Sequence, residues 1–303
     1  MNGHPSKRTK GITLIELLIA LVISSVLVAG IYRAFVRQQK SYATQEQVAD
    51  MQQNVRVAIN RMIREIRMAG FGGKNENLSG NNDIIAVLVN VNGFANIINA
   101  VDNSPRADNV GNSDEVTVVG AYTQLGTIAA DVNSGSTTLT VTYTGGTQFD
   151  KASRKYMCIN GRYNYEVVPA AGNPITLAKT AKNPTGTLNE SHVAGEPVFL
   201  IRAIRYGLRV DNDGIPVLFR DLYPDTAETR RDTVAEYVED LQFRYVLADT
   251  TEVDAPANPM DVRGVRITVQ ARTRMSDPEL KDGGGGFRRR TLNTYVDLRN
   301  LRD

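Results

Sequence analysis

The sequence predicts an α+β fold: a long amino-terminal helix, membrane-spanning in its first half, packed on an antiparallel β-sheet head with an inserted β-rich lobe. Three observations predict it. No proline occurs between Pro5 and Pro105, so nothing in that stretch forbids one continuous helix. Over residues 12–32 the only charged side chain is Glu16, in a run long enough to cross a bilayer. After Gly73 the composition turns to Asn, Gly, Asp, Thr and Val, in short segments rich in β-branched and aromatic residues.

Residues 1–11 carry Lys7, Arg8 and Lys10 and no acid. Positive charge ahead of an apolar run keeps that end in the cytoplasm. Residues 12–36 follow as the expected transmembrane part of the helix. The 21 residues 12–32 reach about 31 Å at ~1.5 Å each, enough for the hydrocarbon core. No small-residue cleavage site follows the run, which is therefore expected to stay in the mature protein. A carboxylate in lipid is expensive, so Glu16 is a candidate functional residue.

Residues 37–70 read as the amphipathic part of the same helix. Val48, Val55 and Met62 repeat at seven, Ile59 and Ile66 fill the companion positions, and Met51, Ile63 and Ala69 widen the stripe. Arg56, Arg61, Arg64, Glu65 and Arg67 fall on its sides. The stripe is expected to pack on the head of the same chain; a coiled-coil seam is the alternative. Gly70-Phe71-Gly72-Gly73 is the expected stop. A helix over residues 12–69 would be about 87 Å long.

The head, residues 71–303, is large enough for a full core. Strands are expected at 83–91, 115–122, 137–144, 156–168, 197–210, 217–223, 238–247, 262–273 and 289–298. Asn160-Gly161 marks a hairpin turn inside the fourth of these, and Asp211-Asn212-Asp213-Gly214 marks another. Apolar and polar residues alternate cleanly over 265–272. The inserted lobe is expected at about 75–194, and Gly283 to Gly286 reads as a flexible loop.

The chain carries 35 basic and 33 acidic residues. Removing residues 1–11 takes three basic ones, leaving 32 against 33, a charge near −1. That balance argues against nucleic acid as a partner. The runs Arg288-Arg289-Arg290 and Arg202, Arg205, Arg209 read as solvated strand faces. Cys158 is the single cysteine, without an intrachain disulfide partner, and its place in Tyr156-Met157-Cys158-Ile159 fits a buried strand position. Two histidines, His4 and His192, cannot build a metal cluster or a relay with one cysteine. Asp211 to Gly214 opens like a calcium loop, but no glutamate follows at the required spacing, and a turn is the better reading. No phosphate-binding, dinucleotide-binding or zinc-protease motif occurs. No catalytic residue, metal or cofactor is expected.

Gly11 followed by Ile12-Thr13-Leu14-Ile15-Glu16 resembles the class III signal of type IV pilins and type II secretion pseudopilins. The resemblance implies cleavage after Gly11 by a prepilin peptidase and N-methylation of Ile12. Ile12 departs from the family's usual Phe. It implies for Glu16 a role between subunits, pairing with the ammonium of a neighbour's Ile12 and setting axial register. Leu17, Leu18, Leu21, Val22, Val26 and Leu27 would line the membrane helix, held in lipid first and among like helices afterwards.

Three further stretches narrow the resemblance. Residues 61–71, ending Met68-Ala69-Gly70-Phe71, look like the helix end of PilW-type minor pilins. Residues 237–245, with Val238-Glu239-Asp240-Leu241, resemble a strand shared by PilW and the J-type pseudopilin, and 289–300 resembles their last strand. The resemblance implies a minor pilin that primes type IV pilus assembly at or near the tip, in a system serving adhesion and twitching motility. A J-type pseudopilin of type II secretion is the alternative, and an adhesin or DNA-uptake pilin is an alternative of another class. Implied partners are the prepilin peptidase, other minor pilins, the major pilin and the assembly platform. The implied location is the inner membrane, single-pass with a periplasmic head, then the pilus.

Overall fold

The computed structural model describes residues 13–72, 91–94, 96–105, 112–180, 183–277, 280 and 285–301. Gly11 and Ile12, nearly all of the strand expected at 83–91, and Gly283 lie outside them. The described chain falls into two units, Met1–Asp50 and Met51–Asp303.

Helix α1, Leu14–Arg67, runs 54 residues without a break. Its residues in the first unit are almost all exposed. In the second unit Met51, Val55, Ala58, Ile59, Met62, Ile66 and Ala69 are buried, and Ile63 is half-buried beside them. The amphipathic stripe thus packs on its own head. Full burial of an Ile or Met side chain stabilises by about 1.5–3 kcal/mol, so this face holds α1 in place. The helix stops where glycine permits it: Gly70 and Gly72 take φ of 78° and 85°. The Gly70 amide then donates to Val119 O (2.9 Å) rather than to the helix.

Among the described residues the head has fourteen strands. They are β1 Ile98–Pro105, β2 Asn112–Ile128, β3 Thr138–Leu139, β4 Val141–Tyr143, β5 Tyr156–Ile159, β6 Tyr163–Glu166 and β7 Ile175–Thr176. Then come β8 Pro197–Val210, β9 Pro216–Leu222, β10 Arg230–Glu236, β11 Val238–Leu247, β12 Glu252–Val253, β13 Val262–Arg272 and β14 Arg289–Asp297. All the paired strands are antiparallel.

Two long strands, β2 and β8, pair along most of their length and organise the larger sheet. At one end β1 flanks β2, and β9 and then β10 flank β8. At the other end β4 flanks β2, and β5 and then β6 flank β8. This second end has its own core, including Leu125, Ile128, Phe149, Met157, Val198 and Leu200. The smaller sheet has the order β12-β11-β13-β14.

Asn160 and Gly161, with φ of 53° and 70°, turn β5 into β6 as the hairpin signal predicts. The strand expected at 137–144 is divided. Thr138 and Leu139 pair with β7, and from Val141 the chain pairs with β2. Strands β1 and β10 were not legible: Ile98–Pro105 is rich in Asn and Asp, and Arg230–Glu236 is largely polar. Both are flanking strands held by ladder hydrogen bonds to one neighbour, so neither needs an apolar face. On β11 a register shift at Glu239 lets Val238 and Leu241, three apart, both point inward.

Candidate assembly site

The first described turn of α1 closes on itself. Thr13 N donates to Glu16 Oε2 (2.9 Å), the Thr13 hydroxyl donates to the same oxygen (3.0 Å), and Glu16 N donates to Thr13 Oγ1 (3.3 Å). This is a capping box, Thr at the cap and Glu three residues on, in which each residue satisfies an orphan donor of the other. The signal for it is the Thr-x-x-Glu spacing of Thr13 and Glu16 directly ahead of the apolar run. The carboxylate therefore has partners within its own chain, at the positive end of the helix dipole. Glu16 is accessible and keeps lone pairs for a further cation.

Behind it the helix presents a long, uncharged and largely apolar surface. Leu17, Leu18, Leu21, Val22, Val26 and Leu27 are each more than half exposed. A window of this segment has mean hydropathy 2.7, and none of it is buried inside the chain. Two hydroxyls interrupt it, and both turn back on the helix: Ser24 Oγ donates to Ala20 O (2.7 Å) and Ser25 Oγ to Leu21 O. Their polarity is satisfied internally, as lipid or a packed filament core requires. An apolar surface this large needs lipid or protein against it.

At its far end α1 is locked to the head by groups that sequence reasoning missed. Glu65 does not sit on a solvated flank. Arg220 of β9 grips it with two bonds, Nε to Oε2 at 2.9 Å and Nη2 to Oε1 at 2.6 Å, and the Tyr206 hydroxyl of β8 donates to Oε2 at 2.6 Å. Arg220 and Tyr206 are buried. Burial first, then the Glu65 charge, push the Tyr206 hydroxyl far above the ordinary tyrosine range. The available signal was a single acid among Arg61, Arg64 and Arg67.

The residues after the helix form a seam. Ala121 N donates to Phe71 O (2.9 Å), and the Phe71 ring meets Phe199 edge-on with centroids 5.5 Å apart. Asn164 Nδ2 donates to Gly72 O. A Cβ on Gly72 would come within 2.8 Å of Ala121 and 2.9 Å of Cys158 Sγ. The Gly-aromatic-Gly run is thus dictated by close approach as well as by backbone conformation.

The other candidate groups have structural partners. Cys158 is buried, and burial pushes its thiol up to about 12, which leaves it unreactive. His192 is buried too, its Nδ1 2.8 Å from Glu196 Oε2 and its ring edge-on to Tyr163. Asp211 Oδ1 accepts from the amides of Asp213 (3.0 Å) and Ile215 (2.8 Å), closing the β8–β9 turn. Among the described residues no group of three or more His, Cys, Asp or Glu side chains is placed to hold a metal ion. The arginines of the basic runs are not simply solvated: Arg205 pairs with Asp225, Arg288 with Asp277 (2.6 Å) and Arg289 with Glu239 (2.6 Å).

Residues 6–32 match the prokaryotic N-terminal methylation motif. No curated protein and no solved structure matches the chain. The motif, on a long apolar helix ahead of antiparallel β-sheets, supports a type IV pilin-like protein, a pilin or pseudopilin. It points to a structural protein processed by a prepilin peptidase, assembling with other pilins and anchored to the membrane by its amino terminus.

Proposed function

We propose that this chain is a PilW-type minor pilin that primes type IV pilus assembly at or near the tip. Gly11 is the cleavage residue and Ile12 the N-methylated one. The observation that carries the reading is Glu16, inside the methylation motif and at the head of an exposed, membrane-length helix.

The mechanism is an exchange of partners. In the unassembled subunit Thr13 satisfies the Glu16 carboxylate, and lipid covers the apolar segment. In the filament the ammonium of a neighbour's Ile12 adds a charge-assisted bond to Glu16, worth more in a low-dielectric core than in water. Only the correct axial step brings the two together, so the pair selects register. The Glu65–Arg220–Tyr206 lock keeps the head fixed on the helix as the subunit is drawn out. A head of this size suits a position at the end of a filament rather than along its shaft.

Glu16→Ala tests this directly. The variant keeps its membrane insertion, because removing a charge from an apolar run lowers the insertion cost. It is expected to be lost from sheared pili. Wild-type recovery of the variant in that fraction would refute the assembly role.

A second reading, a J-type pseudopilin of type II secretion, draws support from β11 and β14, whose sequences resemble strands common to both families. Deleting the gene separates them. Loss of surface pili with normal export of hydrolases supports the minor pilin, and the converse supports the pseudopilin.

A further inference from the structure

We propose that Arg33, Arg37 and Lys40 form a docking face for anionic phospholipid headgroups where α1 leaves the membrane. The proposal rests on the reading of α1 as membrane-spanning. The three residues stand at i, i+4 and i+7 and so share one helix face. All three are exposed, and among the described residues none has an ion-pair partner.

Their height along the helix fits the headgroup layer. Arg33 directly follows the apolar run, and at ~1.5 Å per residue Arg37 lies about 6 Å and Lys40 about 10 Å further out. The headgroup region extends roughly 5–8 Å beyond the hydrocarbon on each side. Long cationic side chains bend back toward an interface, which brings Lys40 within reach. Tyr32 and Phe35, both more than half exposed, stand at the same level as aromatic anchors.

Charge makes the face specific. No acid occurs between Glu16 and Glu46. Glu46 lies about 20 Å along the helix from Arg33 and about 9 Å from Lys40, beyond one screening length of about 8 Å at physiological salt even from the nearest cation. The cations therefore act together, with no acid among them and the nearest one largely screened. Their side of the membrane is opposite to the basic leader, where the orientation rule disfavours Lys and Arg. Their presence there calls for a partner, and lipid phosphate is the anion that the bilayer supplies at that depth.

The test uses the full chain reconstituted in phosphatidylcholine vesicles containing a minor fraction of phosphatidylglycerol. Spin-labelled lipids report which headgroup is retained at the protein. The wild type is expected to prefer phosphatidylglycerol by up to about fivefold for each cation engaged, with the preference falling in high salt. The triple variant Arg33→Gln/Arg37→Gln/Lys40→Gln should lose the preference and remain resistant to carbonate extraction. Equal preference in wild type and variant would overturn the proposal. So would a wild type indifferent to lipid charge whose variant fails to enter filaments, which would assign the face to an acidic surface of a neighbouring subunit. A wild type that does not insert at all would contradict the membrane-spanning reading itself, and the headgroup site with it.

Discussion

The Arg220 guanidinium decides how firmly the helix is held. It is buried, and its bidentate partner Glu65 is mostly shielded from water. Removing one member of a buried pair leaves the other charge without compensation, a loss of about 3–5 kcal/mol. Arg220→Ala is therefore expected to lower the unfolding free energy of a soluble form by that amount, read as a lower urea midpoint at unchanged slope. Tyr206→Phe should cost less, about 1.5–3 kcal/mol, since one bond to a charged acceptor is lost while Arg220 stays. An unchanged midpoint in Arg220→Ala would show that the lock carries no stability.

Buried acids that are neutral when protonated, Tyr206, Tyr245 and Cys158 among them, weaken the head at alkaline pH. Burial raises Tyr206, Tyr245 and Cys158 above their ordinary values of 10.0, 10.0 and 9.0. Each binds its proton more tightly in the folded head than in the unfolded chain. Their contribution is complete below the unfolded values and is lost progressively as pH rises from there through the higher folded values. The melting temperature is expected to hold from neutral pH to about 9 and then to fall. A flat profile to pH 11 would contradict the burial of these groups.

At the scale of elements, the long helix was legible because its causes are local: no proline, one apolar run, one seven-residue stripe and a glycine stop. The β5–β6 hairpin was legible for the same reason. The pairing of β8 with β9 along one half of its edge and with β5 along the other was not, because no local signal fixes which strands meet. The helix face yields a test of its own. A soluble form starting at Arg37 is expected to be monomeric, since the head covers the stripe. Ile66→Asp in that form buries an unpaired carboxylate and is expected to abolish cooperative unfolding. If the variant kept its melting temperature, Ile66 would face a partner chain instead of its own sheet.

At the scale of the whole molecule, the two ends of α1 differ in what the sequence discloses. Glu16 stood out because a single carboxylate in a membrane-length run has no ordinary explanation. Glu65 did not, because a glutamate on an amphipathic helix is usual and its partner lies 155 residues away. Function at the amino terminus is written in a short motif in register, while the grip of the head depends on a fold that brings distant residues together. The mature protein is expected to begin at Ile12.

Amino-terminal mass spectrometry of the membrane-extracted protein, from cells containing a prepilin peptidase, tests that most directly. A first residue of N-methylated Ile12 is the expected result, with Gly11 and everything before it absent. A chain that retains Met1 through Gly11 under those conditions would contradict the pilin reading, and with it the role given to Glu16.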